Sequence, residues 1–96
     1  MFIVELLTEA ESELTDACQW YEDKQPGLAK RFLSEIDKYL TLISKNPFHF
    51  PLRFSERYRF ASLSIFPFVI VFKIDEERQI VYVNSIFHTS RNPNKL

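Results

Sequence analysis

The sequence predicts an α+β domain in which a helical hairpin covers one face of a small, mainly antiparallel sheet. Three observations lead there. Two amphipathic stretches of helical period lie side by side near the start of the 96-residue chain, with only Pro26 and Gly27 to break them. Three apolar, β-branched and aromatic runs follow without another helical period. One of these runs, Phe68-Val69-Ile70-Val71-Phe72, is apolar at every position, as expected of a central strand buried on at least one face and partly on the other. Such a strand needs partners on either side and a layer above it.

The elements follow in order. Phe2 to Leu7 reads as the first strand. Thr8 and Glu11 have the spacing of a capping box, in which a hydroxyl and a carboxylate satisfy free N–H groups at a helix start. Ala10, Leu14, Ala17, Cys18 and Tyr21 then form the apolar stripe of a first helix ending near residue 24. Pro26 suits a first helical position, and Leu28, Phe32, Ile36, Tyr39, Leu40 and Ile43 make the stripe of a second helix that Asn46-Pro47 ends. Residues 48–56 lack a period and read as an aromatic loop. Strands are expected at about 57–65, 67–74 and 79–88, the last two joined by a tight turn at Asp75-Glu76-Glu77-Arg78. The whole chain, 1–96, reads as one domain.

Composition narrows the function classes. The charged fraction of 26% and hydrophobic fraction of 46% are those of an ordinary soluble globular protein. A single cysteine, Cys18, rules out a disulfide framework or thiolate cluster and reads as a small buried hydrophobe. His49 and His88 stand far apart without a supporting carboxylate, so no metal or cofactor is expected. No membrane span or secretory leader is expected either, and the cytoplasm is the expected compartment. The first half, residues 1–48, carries nine acids and five bases, and the second half four acids and seven bases. That asymmetry is weaker than a nucleic-acid binder usually shows. Ten Phe, four Tyr and one Trp are many for this length. They suggest either a Phe-rich core or a partner groove, and a free protein prone to aggregate without its partner.

Alternation along the strands assigns a face to each candidate reactive residue. If Ile70, Phe72 and Ile74 meet the helices, Val69, Val71 and Lys73 face away, and Arg59, Ala61, Tyr82, Asn84 and His88 are expected to share that open face. A one-residue change of register would reverse the assignment. His88 could serve as acid or base, since an unperturbed imidazole changes charge near neutral pH, and Arg59, Arg91 and Lys73 suit a phosphate. Tyr82 or Tyr58 could stack a base or relay a proton. Each has a structural alternative. Arg59 can pair with Glu56 or a helix acid, and Lys73 can be a solvated strand charge. Arg91 can tie the C-terminal stretch to Glu13 or Asp16, and His88 can donate to a backbone carbonyl.

Taken together, the chain resembles the RelE/ParE superfamily of toxins from type II toxin–antitoxin modules. The resemblance rests on Ala10…Glu13-Leu14…Ala17…Trp20-Tyr21, on Pro26-Gly27-Leu28-Ala29…Arg31-Phe32-Leu33…Glu35-Ile36, on Asn46-Pro47, Phe50-Pro51 and Phe66-Pro67-Phe68, and on His88…Arg91-Asn92-Pro93. These pieces look closer to the ParE and plasmid-stabilisation branch. The resemblance implies a toxin neutralised by a cognate antitoxin in a hetero-oligomer and acting on DNA gyrase. The alternatives are a metal-independent, RelE-like mRNA interferase acting on the ribosome, or a degenerate, non-toxic partner-binding module. A nuclease would use His88, Arg59, Arg91, Lys73 and Tyr82. Antitoxin docking is expected on Phe32, Ile36, Phe48, Phe50 and Phe54.

Overall fold

A computed structural model describes residues 1–90. Its elements are β1 (Ile3–Leu6), α1 (Thr8–Lys24), α2 (Leu28–Lys45), a 3-10 turn at Pro47–His49, β2 (Arg59–Ser62), β3 (Phe68–Asp75) and β4 (Ile80–His88). The four strands form one sheet in the order β1-β4-β3-β2. β1 runs parallel to β4, and the β4–β3 and β3–β2 pairs are antiparallel. The predicted α+β order and the helical hairpin are both present.

The helix starts are held differently from the sequence expectation. Thr8 is already inside α1, Leu7 is its N-cap, and no side chain caps it, so the Thr8–Glu11 box does not form. At α2 the first helical residue is Leu28 rather than Pro26. The capping carboxylate comes from the preceding helix. Glu22 accepts the N–H of Gly27 at 3.1 Å and that of Ala29 at 3.3 Å. Gly27 turns the chain with φ +89°, a region that side chains disfavour. A Cβ there would meet nothing within 4 Å, so the whole penalty of substitution is torsional. Gly27→Ala is expected to lower stability by about 1 kcal/mol in a denaturant titration. A loss above about 3 kcal/mol would mean that space, not φ, decides.

The core lies between the hairpin and the sheet. Phe32 and Ile36 of α2 are 0% and 2% exposed. Phe32 meets Tyr21, Phe66 and Phe68 at ring-centroid distances of 5.1, 5.2 and 4.9 Å. This arrangement accounts for much of the aromatic excess: the rings close a thin core. Three large rings remain exposed among the described residues, those of Trp20, Phe48 and Phe54.

Phe68 to Phe72 of β3 are buried on both faces, the second more fully than the sequence reading expects. Phe68, Ile70 and Phe72 join the helix-facing core, while Val69 and Val71 pack with Phe87, Tyr58 and Phe60 on the other side. β4 departs from simple alternation. Val71 stands opposite Ser85 and Phe72 opposite Val83, which leaves Asn84 as an extra residue in a bulge. Val83 and Ile86, three positions apart, therefore both face the helices. Glu13 of α1 holds the bulge: its Oε1 accepts the Ser85 hydroxyl at 2.7 Å and the Ile86 N–H at 3.0 Å.

A second acid ties the other end of the sheet to the hairpin. Glu35 of α2 is 5% exposed. Its carboxylate accepts the N–H groups of Ser64 (3.0 Å), Ile65 (2.9 Å) and Phe66 (2.9 Å), which satisfies the β2–β3 connection. A loop whose backbone donors would otherwise be unpaired is thereby fixed to α2.

Candidate functional site

The bulge and the β2 register scatter the residues expected to share one open face. Ala61 stands opposite Ile70 and Arg59 opposite Phe72, so both belong to the helix side of the sheet. This corrects the alternation read from sequence, which was one residue out on β2. Arg59 does not pair with Glu56. Its Nη1 donates to the carbonyl of Phe50 at 2.6 Å and more loosely to that of Phe48 at 3.4 Å, and its guanidinium lies 5.4 Å from the Phe48 ring. Arg59 thus fastens the 3-10 turn to the sheet. Arg59→Ala is expected to lower the thermal midpoint by several degrees, the signature of a lost charge-assisted bond of about 1.5–3 kcal/mol.

His88 is also displaced from the open face. The extra residue in β4 puts Phe87 there instead, and the His88 ring packs edge-on against Phe68 at 5.2 Å. Its Nδ1 accepts the N–H of Ser90 at 3.0 Å, which in a neutral ring leaves the proton on Nε2. A depression of about 350 Å³ lies beside it, lined by Glu13, Asp16, Trp20 and Phe68 among others. Arg91 lies outside the described residues.

Lys73 and Tyr82 do stay together on the face away from the helices. They are cross-strand partners, with the Lys73 ammonium 5.9 Å from the Tyr82 ring centroid. Arg57 and the acids Asp75, Glu76 and Glu77 line the same shallow depression, so the local charge is mixed. His88 is opposite Phe68 and Tyr82 opposite Lys73, five residues further along β3. At about 3.3 Å per residue the two places are roughly 16 Å apart and on opposite sides of the sheet. A proton-transfer group must lie within about 3 Å of the atom it serves. Arg59, His88 and the Lys73–Tyr82 pair cannot close on one phosphate in this arrangement.

The residues expected to dock an antitoxin also divide. Phe32 and Ile36 are core residues and offer no surface, a correction that follows from their position under the sheet. Phe50 is half-buried and stands 5.9 Å from the Phe72 ring. Phe48 and Phe54 are 45% and 73% exposed. Beside them lies a groove of about 560 Å³ between the C-terminal half of α2 and the chain around β2. Tyr39, Leu42, Lys45 and Arg53 help line it, none of them among the residues expected to dock a partner. The available signal was Leu42, a leucine off the buried stripe of α2 and 43% exposed.

Cys18 is partly buried, and burial pushes its thiol pKa up. A neutral thiol is a poor nucleophile. Iodoacetamide at pH 7.5 is expected to label it more slowly in the native protein than after denaturation, measured by mass spectrometry; equal rates would mean the thiol is not held in its neutral form. Among the described residues, no cluster of His, Cys, Asp and Glu could hold a metal ion, and no helix is long and apolar enough to cross a membrane.

The model of the family described as the ParE toxin of type II toxin–antitoxin system, parDE, matches residues 4–93. The chain belongs to the ParE toxin family. Solved structures agree in fold. The chain is similar to a chromosomal ParDE toxin–antitoxin system protein from P. aeruginosa, with a TM-score of 0.77 and 18% identity over 92% of this chain and 96% of that one. It is similar also to a chain of the intact E. coli RelBE toxin–antitoxin complex, with a TM-score of 0.64 and 14% identity over 92% and 96% of the two chains. A chain of the RelBE2 complex of Mycobacterium tuberculosis gives a TM-score of 0.62 and 22% identity over 91% and 96%. A comparison with curated proteins found no significant match. The ParE-family chain thus carries the fold of a type II toxin, and among the described residues Arg59, His88 and the Lys73–Tyr82 pair occupy three separate places.

Proposed function

We propose that this ParE-family toxin acts in the cytoplasm by inhibiting DNA gyrase, through surface contact rather than proton-transfer chemistry, and that a cognate antitoxin neutralises it in a hetero-oligomer. One observation carries the choice of target. The acid–base and phosphate-binding candidates occupy separate places, with Arg59 engaged on backbone carbonyls and His88 across the sheet from Lys73 and Tyr82. Metal-free RNA cleavage needs such groups around one phosphate, whereas an inhibitor of a large enzyme needs only a complementary surface. Family membership supports the same direction.

The test is growth inhibition by the protein expressed without its antitoxin. His88→Ala and Lys73→Ala are each expected to retain toxicity, with folding checked by circular dichroism. A drop of about 10²-fold or more in a folded variant is the size of a lost general acid or base, and would favour mRNA cleavage. No toxicity from the unaltered, folded protein would favour a degenerate partner-binding module.

A further inference from the structure

One face of α1 meets the end of β4 across the depression of about 350 Å³ beside His88. Glu13, Asp16 and Trp20 recur at helical spacing along the α1 wall, and Phe68 and His88 line the far side. Ala17 stands between the walls at 4% exposure, and its short side chain leaves room for the hollow. Two carboxylates and an indole are thus brought to one place, and no lysine or arginine among the described residues lines it. This lining suits a guanidinium, whose N–H fork fits carboxylates and whose flat face stacks on an aromatic ring.

The course of the chain is an independent observation. β4 ends at His88, on the rim of the depression. The N–H of Thr89 donates to the Pro67 carbonyl at 2.9 Å, and that of Ser90 donates to His88 Nδ1 at 3.0 Å. The second bond spans only two residues, so the chain turns at the edge of the hollow instead of running on from the strand. The next residue is Arg91, with its Cα about 3.8 Å from that of Ser90. The sequence continues Arg91-Asn92-Pro93-Asn94-Lys95-Leu96, with two cationic side chains and no acidic one, opposite in sign to the α1 wall.

We propose that residues 91–96, which lie outside the described part of the chain, dock on this depression, with the Arg91 guanidinium against Trp20 and paired with the carboxylates of Glu13 and Asp16. Tethering favours this occupant over an arginine from another molecule, because a group attached next to its site acts at a high effective concentration. Glu13 already fixes the β4 bulge through Ser85 and Ile86. The docked segment therefore joins α1, the bulge and the end of β4 in one polar cluster and covers His88. The inference is independent of the target proposed for the toxin, since it concerns how the chain closes on itself.

Trp20 is the one tryptophan of the sequence, so its fluorescence reports on this depression directly. In the 96-residue chain, Arg91→Ala is expected to shift Trp20 emission to the red, to raise its quenching by acrylamide and to lower the thermal midpoint by about 2–6 °C. Arg91→Lys should fall between the two, because lysine keeps the charge and loses the flat fork. Glu13→Gln/Asp16→Asn removes the charge of the wall while leaving the bulge an acceptor, and should at least halve the effect of Arg91→Ala on the midpoint. Sodium chloride at about 1 M should shrink that effect too. Lys30→Ala, which removes a cation from α2, should leave Trp20 emission unchanged. Emission and quenching that Arg91→Ala does not alter in a folded protein overturn the proposal, as does an Arg91→Ala effect that the Gln/Asn pair leaves undiminished. If circular dichroism shows Arg91→Ala unfolded, Arg91→Lys decides by the same readouts. Protection of Trp20 that appears only as protein concentration rises gives the depression to a second copy and likewise overturns the proposal.

Discussion

Replacing Phe32 with alanine is expected to remove about 3–5 kcal/mol of folding free energy, the usual cost of deleting a fully buried ring. Phe32 is 0% exposed and bridges both helices to the strand side of the core through Tyr21, Phe66 and Phe68. No shift of these neighbours can fill the space without drawing two helices toward the sheet. A domain of this size has roughly 5–10 kcal/mol to lose, so the variant should fall by more than about 12 °C in thermal midpoint or fail to fold. The same substitution separates two roles for the apolar face of α2. Were Phe32 a docking residue, the variant would keep its midpoint and lose only antitoxin affinity. Calorimetric melting of the free protein distinguishes these outcomes, and an unchanged midpoint would refute the core assignment.

Glu35→Ala is expected to cost about 3 kcal/mol or more, for a different reason. Three backbone N–H groups, of residues 64, 65 and 66, would lose their acceptor at once. Each buried donor left unpaired costs about 1–3 kcal/mol, reduced where water can reach it. Ser64 and Ile65 are exposed and can recruit water, whereas Phe66 is buried. Glu35→Gln should cost less, because its one carbonyl oxygen still accepts, though its NH₂ then meets a donor. The order of stability wild type > Gln > Ala, measured by urea titration, is the expected result. Equal stability of all three would show that the β2–β3 connection is held by something other than this carboxylate.

The layout of the molecule was legible where periodicity is strong. The stripes of α1 and α2, the breakers between them and the fully apolar β3 each follow from local pattern, and the chain order they give is the one observed. What failed was the face of individual side chains on β2 and β4. The extra residue at Asn84 moves His88 to the helix side, and nothing in the run Val83-Asn84-Ser85-Ile86 announces it. The bulge is held by Glu13, seventy-odd residues earlier in the chain, so its cause is tertiary. Arg59 was misplaced because the register of a four-residue strand is set by its partner rather than by its own pattern. The capping of α2 was missed for a related reason. Glu22 works from inside the preceding helix, outside the positions where caps are sought.

The candidate site was less legible than the fold. Aromatic-rich loops and a helix stripe both suggested docking, yet the stripe residues Phe32 and Ile36 are buried while Phe48 and Phe54 project. Burial on the stripe follows from the sheet it packs against, while Phe54 is exposed in a loop and takes a positive φ that sequence does not betray. The cationic rim of the groove comes from residues on two separate elements, Lys45 at the end of α2 and Arg53 in the loop before β2. Only folding brings them to one place.

We propose that this ParE-family toxin, with Arg59, His88 and the Lys73–Tyr82 pair at separate places, acts on gyrase and not by cutting RNA. The most direct test is a side-by-side assay of the purified protein for inhibition of gyrase supercoiling and for ribosome-dependent cleavage of mRNA. Inhibition of supercoiling that His88→Ala retains, with no mRNA cleavage, is the predicted result; mRNA cleavage that His88→Ala or Lys73→Ala abolishes, with gyrase unaffected, would contradict it.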